Sequence, residues 1–367
     1  MGADRQCRQH GHHDCQAQRL GQGDYDRTGH ENAVNEHLEL LSPAGNAAKA
    51  SFHIAFGVDT HYFRGMGVTI LSIIENNPTV DFVFHVFAFA VSDDVRKKLH
   101  QIEASRGVSI EIHIIDPAVF DEYAKFPSFA QYSVAIFLRL LIPGALRDVT
   151  DRILYLDADI LCLGSIAQLM AMDLRGNIVA LVDDNGEETV RNQCANLNLR
   201  EKRYFNSGVL YINIANWLAH DITPHTMRTI LDSDRQFTFP DQDALNIVLD
   251  GRAKYIAGKW NFQYNLNSFL NAGDFRMGAI DDAIFIHFTG RVKPWHEWSL
   301  HEAKALFVKY QSLSPWAGMA LDMPKNHKEM RLFSQFLARR GRKARAALWF
   351  AKYLVKKFSA GQTYKSA

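Results

Sequence analysis

The chain has 367 residues, of which 47% are apolar and 22% charged, with a formal net charge of +1. These are ordinary globular values, enough for one large domain or two modest ones with a sizeable core. The cysteines Cys7, Cys15, Cys162 and Cys194 are widely spaced and form no CxxC pair, which argues against a disulfide or zinc framework and fits a reducing compartment.

Residues 1–50 are rich in Gln, His, Gly and Asp with little apolar periodicity, so this extension reads as disordered or non-native. His10, His12 and His13 have no predicted scaffold to make them a metal site. The N-terminus lacks the apolar core of a signal peptide. No run of about 18 apolar residues offers a membrane span. The expectation is a cytosolic protein. From Ser51 the character changes. Phe52–Val58 reads as a strand, Gly67–Glu75 as a helix ending at Asn76-Asn77-Pro78, and Phe82–Ala90 as a buried strand. Asp93–Ser105 reads as a helix opened by two acids, and Val108–Ile115 as a third strand. This alternation predicts βαβ units and a parallel sheet. Further strands are expected at Arg152–Leu156, Ile178–Val182, Gly208–Ile214 and Phe285–Phe288. In such a fold, ligands sit beyond the carboxyl ends of the strands.

From residue 325 onward the chain changes again, with 12 lysines and arginines against the single acid Glu329. Ala344, Ala347, Leu348, Ala351, Leu354, Val355 and Phe358 recur at helical spacing and predict one apolar face in a basic helix. With Trp349, Phe350 and Tyr353 nearby, this reads as an element for an anionic membrane surface. A helix packed on the main domain, with a solvated basic face, is the plainer alternative. Nucleic acid is disfavoured, since no binding motif accompanies the charge.

Four polar clusters carry the chemistry. Asp157 and Asp159, with Ala158 between them, follow the apolar strand ending at Leu156. In extended chain the two carboxylates share one side and can reach one hard divalent cation. His287 ends a second apolar strand, and Gly290 and Lys293 follow in its loop. The histidine could complete an oxygen and nitrogen donor set, and the lysine could meet a phosphate. Asp241 and Gln242 open a helix, either as its cap or as contacts to sugar hydroxyls. Asn206 precedes a strand, as a turn residue or a sugar-binding amide.

Taken together, FGVDTHYFRGMGVTILSIIENNP, FLRLLIP, RILYLDADILC, YFNSGVLYINIANW, FPDQDALN and HFTGRVKPWHEW resemble, in order and spacing, the retaining glycosyltransferases of family 8. Within that family they resemble the bacterial lipopolysaccharide core hexosyltransferases, with a slight lean to the 1,3-galactosyltransferase side. The resemblance spans Phe52 to about Trp316. It implies an α/β GT-A fold with a mixed, mostly parallel sheet over 51–318, and a basic helical region over 319–367. It also implies a UDP-glucose or UDP-galactose donor, Mn2+ or Mg2+, a lipopolysaccharide core acceptor, and a place on the inner face of the cytoplasmic membrane.

By the same resemblance, Asp157, Asp159 and His287 fall on metal ligands. Asp59 and Tyr62 fall near the uracil, and Arg139 falls on a residue approaching the donor sugar or diphosphate. Asp183, Asn206, Asp241 and Gln242 fall on donor-sugar contacts, and Gly290 and Lys293 on diphosphate contacts. His61 departs from the Asn common in relatives. Retention of stereochemistry is implied by resemblance alone, with front-side attack preferred because an amide such as Gln242 is a poor nucleophile. Two other readings share the fold: a non-catalytic sugar- or nucleotide-binding protein, and a self-glucosylating enzyme of the glycogenin kind. A phosphoryl-transfer enzyme lacks its GxxxxGK[ST] loop here.

Overall fold

A computed structural model describes residues 51–124, 133–231, 237–280 and 282–363. The histidines near the N-terminus lie outside the described residues. Ten strands are described: β1 (Phe52–Gly57), β2 (Phe82–Ala88), β3 (Ser109–Ile114), β4 (Arg152–Leu156), β5 (Ile160–Cys162), β6 (Val179–Asp183), β7 (Phe205–Asn213), β8 (Lys254–Tyr255), β9 (Phe262–Gln263) and β10 (Phe285–His287). Seven form one sheet in the order β3-β2-β1-β4-β7-β6-β8, and the other three form a second in the order β5-β10-β9.

The large sheet is mixed. β3, β2, β1 and β4 run parallel, and β7 lies antiparallel between β4 and β6. Two expectations shift here. The seventh strand begins at Phe205, so Asn206 sits inside the ladder and not in a turn before it. The late apolar strand does not extend the large sheet. It pairs with β5 and places His287 opposite Ile160, one residue beyond Asp159.

Helix α1 (Phe63–Asn76) is buried along Phe63–Ile74 and is apolar on most of its surface, as a core helix must be. Its hydroxyls fix it to the second sheet. Thr69 Oγ1 donates to the Ile160 carbonyl at 2.6 Å, and Ser72 Oγ accepts from the Cys162 amide at 2.8 Å. Gly65 lets the helix approach the chain between β4 and β5, since a Cβ there would lie 2.4 Å from the Ala158 carbonyl oxygen. Helix α2 (Asp93–Arg106) starts where Ser92 accepts from the Val95 amide and stops at Gly107, whose φ of +66° suits glycine.

The C-terminal region holds two helices, α5 (His327–Arg339) and α6 (Lys343–Thr363). Phe333, Phe336, Leu337, Ala346 and Trp349 join Trp298, Phe307 and Tyr310 in one core cluster. Losing one such buried aromatic typically costs about 3–5 kcal/mol. The buried side of α6 carries Ala346, Trp349 and Tyr353. The apolar face read from the sequence is a different one and points outward. Leu348, Val355 and Phe358 are 56%, 69% and 68% exposed. Among the described residues no helix is long and apolar enough to cross a membrane.

Candidate active site

The site is assembled where the two sheets meet. β4 ends at Leu156, and the chain crosses through Asp157, Ala158 and Asp159 into β5. The Asp157 amide donates to the Gly208 carbonyl at 2.9 Å, and the Phe288 amide donates to the Asp159 carbonyl at 3.0 Å. Backbone bonds therefore pin both aspartates, one to β7 and one to the strand that carries His287. His287 Nε2 lies 3.2 Å from Asp159 Oδ1 and 3.8 Å from Asp157 Oδ2. One ligand atom from each of the three residues lies within 4.8 Å of the others.

The hydrogen bonds around His287 say what this triangle is built for. Asn261 donates through Nδ2 to Asn206 Oδ1 at 2.9 Å, so its own Oδ1 is left to accept. His287 Nδ1 sits 3.0 Å from that oxygen and is the protonated nitrogen. Nε2 then carries a lone pair aimed at a carboxylate oxygen. Asp159 Oδ1 is buried and has no hydrogen-bond donor. Lone pairs of three buried or half-buried groups facing one point fit a divalent cation, and the Asn261 bond is the outer-shell support such a ligand needs. Gly208 makes room. A Cβ there would lie 2.3 Å from His287 Cε1 and 2.9 Å from Asp157 Oδ2.

Two buried cations flank the triangle. Lys293 Nζ pairs with Asp159 Oδ2 and donates to the Phe288 carbonyl. Burial alone would raise the Asp159 carboxyl, but Lys293 beside it holds it below the usual carboxylate range. Arg139 comes from helix α3 (Leu138–Ala145). It donates to Asp157 Oδ1 at 2.9 Å and to the carbonyl and hydroxyl of Ser207 at 2.8 and 2.7 Å, and its Nε lies 3.1 Å from Asp241 Oδ2. Every nitrogen of its guanidinium thus has a protein acceptor.

Helix α4 (Pro240–Val248) supplies Asp241 and Gln242. Asp243 helps fix its start: the Asp243 carboxylate accepts the Thr238 and Phe239 amides at 2.7 and 2.9 Å. The Asp241 carboxylate takes its own and the Gln242 backbone amides in the first turn and also faces Arg139. Burial raises its carboxyl, with Arg139 opposing. The Gln242 amide is locked in one orientation. Oε1 accepts from the Ser207 amide at 3.0 Å, and Nε2 donates to the Tyr204 hydroxyl at 2.9 Å.

Of the remaining expected residues, Tyr62 packs edge-on against Trp295 and lies within electrostatic reach of Lys293, Asp159 and Asp59. The Asp59 carboxylate accepts the His61 amide at 2.9 Å. Gly290 has a φ of +83° beside Asn265. Asp183 is not brought into the cluster. Its carboxylate is 45% exposed and pairs with Arg203, which lies over Tyr255. The next residue, Asp184, turns the other way, toward Asn206 and His287, and burial raises its carboxyl. Sequence reading missed Asp184 and Asn261. The doubled Asp183-Asp184 was the only available signal for the first, and the second sits in no recognisable motif.

The glycosyl transferase family 8 model matches residues 53–299, and the model of that family's C-terminal region matches 294–357. The lipopolysaccharide 1,3-galactosyltransferase of Salmonella typhimurium is 32% identical over 286 residues, covering 76% of this chain and 83% of that protein. A lipopolysaccharide 1,2-glucosyltransferase of Escherichia coli is 30% identical over 287 residues, covering 76% and 82%. Among solved structures, the galactosyltransferase LgtC in complex with donor and acceptor sugar analogs superposes with a TM-score of 0.62 at 24% identity. It covers 73% of this chain and 99% of its own. That likeness agrees with the mixed-sheet fold, and the sequence matches carry the assignment: the chain belongs to glycosyl transferase family 8.

Proposed function

We propose that this protein is a retaining hexosyltransferase that moves galactose or glucose from a UDP-sugar onto the core of lipopolysaccharide. The carrying observation is the convergence of Asp157, Asp159 and His287, with a buried Asp159 oxygen that no donor satisfies, at the end of β4. Family membership and the activities of the similar lipopolysaccharide transferases support the reaction class and the acceptor. A bound Mn2+ or Mg2+ supplies Lewis-acid stabilisation of the charge that develops on the departing diphosphate.

The chain's own residues hold the rest of the geometry. Arg139 ties Asp157 and Asp241 together and is assigned to positioning, since its donors are already engaged. Lys293 keeps Asp159 ionised and stands next to the developing charge. The fixed amide of Gln242 suits stabilisation of an oxocarbenium-like state and not nucleophilic attack, in keeping with front-side displacement. Asp184 and Asn206 line the same side and offer polar contacts to sugar hydroxyls.

The outward stripe of α6 completes the reading. Leu348, Val355 and Phe358 are exposed, and Arg345, Lys352, Lys356 and Lys357 flank them on the surface. An apolar stripe edged with cations fits an anionic lipid surface, where the acceptor resides. The test is transfer of labelled hexose to truncated lipopolysaccharide. Label in the lipopolysaccharide from one donor supports the reading and names the sugar. Binding of UDP-sugar with no transfer to any truncated core would move the assignment to a binding protein.

A further inference from the structure

A second convergence of ligand atoms lies on the parallel half of the large sheet, away from the site described above. His53 is on β1, His85 on β2, and Glu111 and His113 on β3. The ladder sets His85 directly opposite Glu111 and Phe87 opposite His113, so alternation puts His85, Glu111 and His113 on one face. His85 Nδ1 lies 3.2 Å from His113 Nε2 and 3.2 Å from Glu111 Oε2, and the last two are 3.9 Å apart.

We propose that His85, Glu111 and His113 bind a Zn2+ ion that clamps the edge strand β3 to β2. Tetrahedral zinc with bonds of about 2.0–2.1 Å places its ligands about 3.3 Å apart, and the separations here surround that value. Two imidazoles and one carboxylate are a donor set zinc accepts, with a fourth position left for water. His85 is wholly buried, and Glu111, 39% exposed, leaves a way in from solvent.

Three features mark this as more than a packed histidine cluster. First, His53 Nδ1 lies 2.9 Å from His85 Nε2 and stacks on its ring. With the Nε2 proton donated to His53, His85 Nδ1 presents its lone pair toward Glu111 and His113, the arrangement that metal-ligating histidines adopt with an outer-shell partner. Second, the His113 ring is stacked on buried Phe87 at 4.3 Å, which fixes the direction of its Nε2. Third, among the described residues no lysine or arginine pairs with Glu111; its partners there are His85 and His113. Two imidazoles and a carboxylate with no lysine or arginine beside it leave room for one positive ion.

The test is Zn2+ binding to the full chain, stripped with EDTA and returned to Mg2+, followed by equilibrium dialysis and by the visible spectrum of the Co2+-loaded protein. The wild type and Asp159→Asn should both hold this zinc. Glu111→Gln, nearly isosteric and half-exposed, and His113→Gln should each lose one equivalent together with the tetrahedral Co2+ bands. His53→Phe should weaken binding by about 10–100-fold. Circular dichroism checks that each variant is folded. Zinc content unchanged in folded Glu111→Gln and His113→Gln would overturn the proposal by placing any bound ion elsewhere, the N-terminal histidines included. No zinc retained by the wild type would overturn it in favour of a cluster held by shared protons.

Discussion

Among the described residues, two groups of histidine and carboxylate side chains converge, and they use the same ligand atoms in opposite settings. Asp157, Asp159 and His287 stand at a strand end, between two sheets, with Lys293 and Arg139 beside them and Gly208 clearing space. His85, Glu111 and His113 stand on the face of neighbouring strands, with no lysine or arginine among the described residues paired to Glu111. A strand end leaves its surroundings to loops, so anionic and polar partners can approach, and fixed positive charge nearby is of use when negative charge develops. A position within the ladder is enclosed by the neighbouring strands, which leaves an ion there to hold strands together and not to meet a substrate. The residue types alone do not separate the two cases; the neighbours do.

The largest expected effect falls on the strand-end group. Asp157→Ala and Asp159→Ala should each lower kcat by ~10²–10³ or more while the protein stays folded, since each removes a stabiliser of transition-state charge. Steady-state transfer rates check this, and full activity in either variant would remove these residues from the site. Gly208→Ala comes next. Its Cβ has to displace His287 and Asp157, so activity should fall nearly as far although no ligand is altered. Retention of wild-type rates would mean that the spacing of the triangle is not critical.

The strand-face group should show itself in stability and not in rate. His53 and His113 are held at about 4 against an ordinary 6.5. Between those values the unfolded chain binds more protons than the folded one, so stability is full above about pH 6.5 and declines as the pH falls toward 4. Melting temperatures followed across that window should fall in the wild type and fall less in His113→Gln. Equal slopes would separate these histidines from the acid sensitivity.

The smallest effect concerns the outward stripe of α6. Removing residues 325–367 would strip Phe333, Phe336 and Trp349 from the core and unfold what it was meant to test. Leu348→Glu, Val355→Glu and Phe358→Glu together leave that core intact and should reduce sedimentation with anionic vesicles, with little change in transfer to a soluble acceptor. Unchanged sedimentation would take the stripe out of membrane binding.

Much of the large sheet was legible in the sequence because its strands are continuous apolar runs, and the aspartate pair was legible because it follows one of them. What escaped was set by tertiary contacts. Asn261 acts through His287 and Asn206, partners far from it in the chain. Asp183 and Asp184 look alike in sequence, and only the geometry after β6 turns one to Arg203 and the other to Asn206. Helix α6 offers two faces at helical spacing. The one with Trp349 and Tyr353 is buried, since large aromatics remove more apolar area from water than the alanines of the other face. The proposed zinc ligands come from two strands, His85 on β2 and Glu111 and His113 on β3, so only strand pairing brings them together.

The central claim is metal-dependent sugar transfer at the Asp157, Asp159 and His287 site. The most direct test follows UDP release from UDP-galactose and UDP-glucose in the presence of truncated lipopolysaccharide, with Mn2+ and with EDTA, for the wild type and Asp159→Asn. The account predicts rapid release from one donor with Mn2+, loss of that release in EDTA, and near-silence in Asp159→Asn under both conditions. Release that persists in EDTA, or that survives in Asp159→Asn at the wild-type rate, would contradict it.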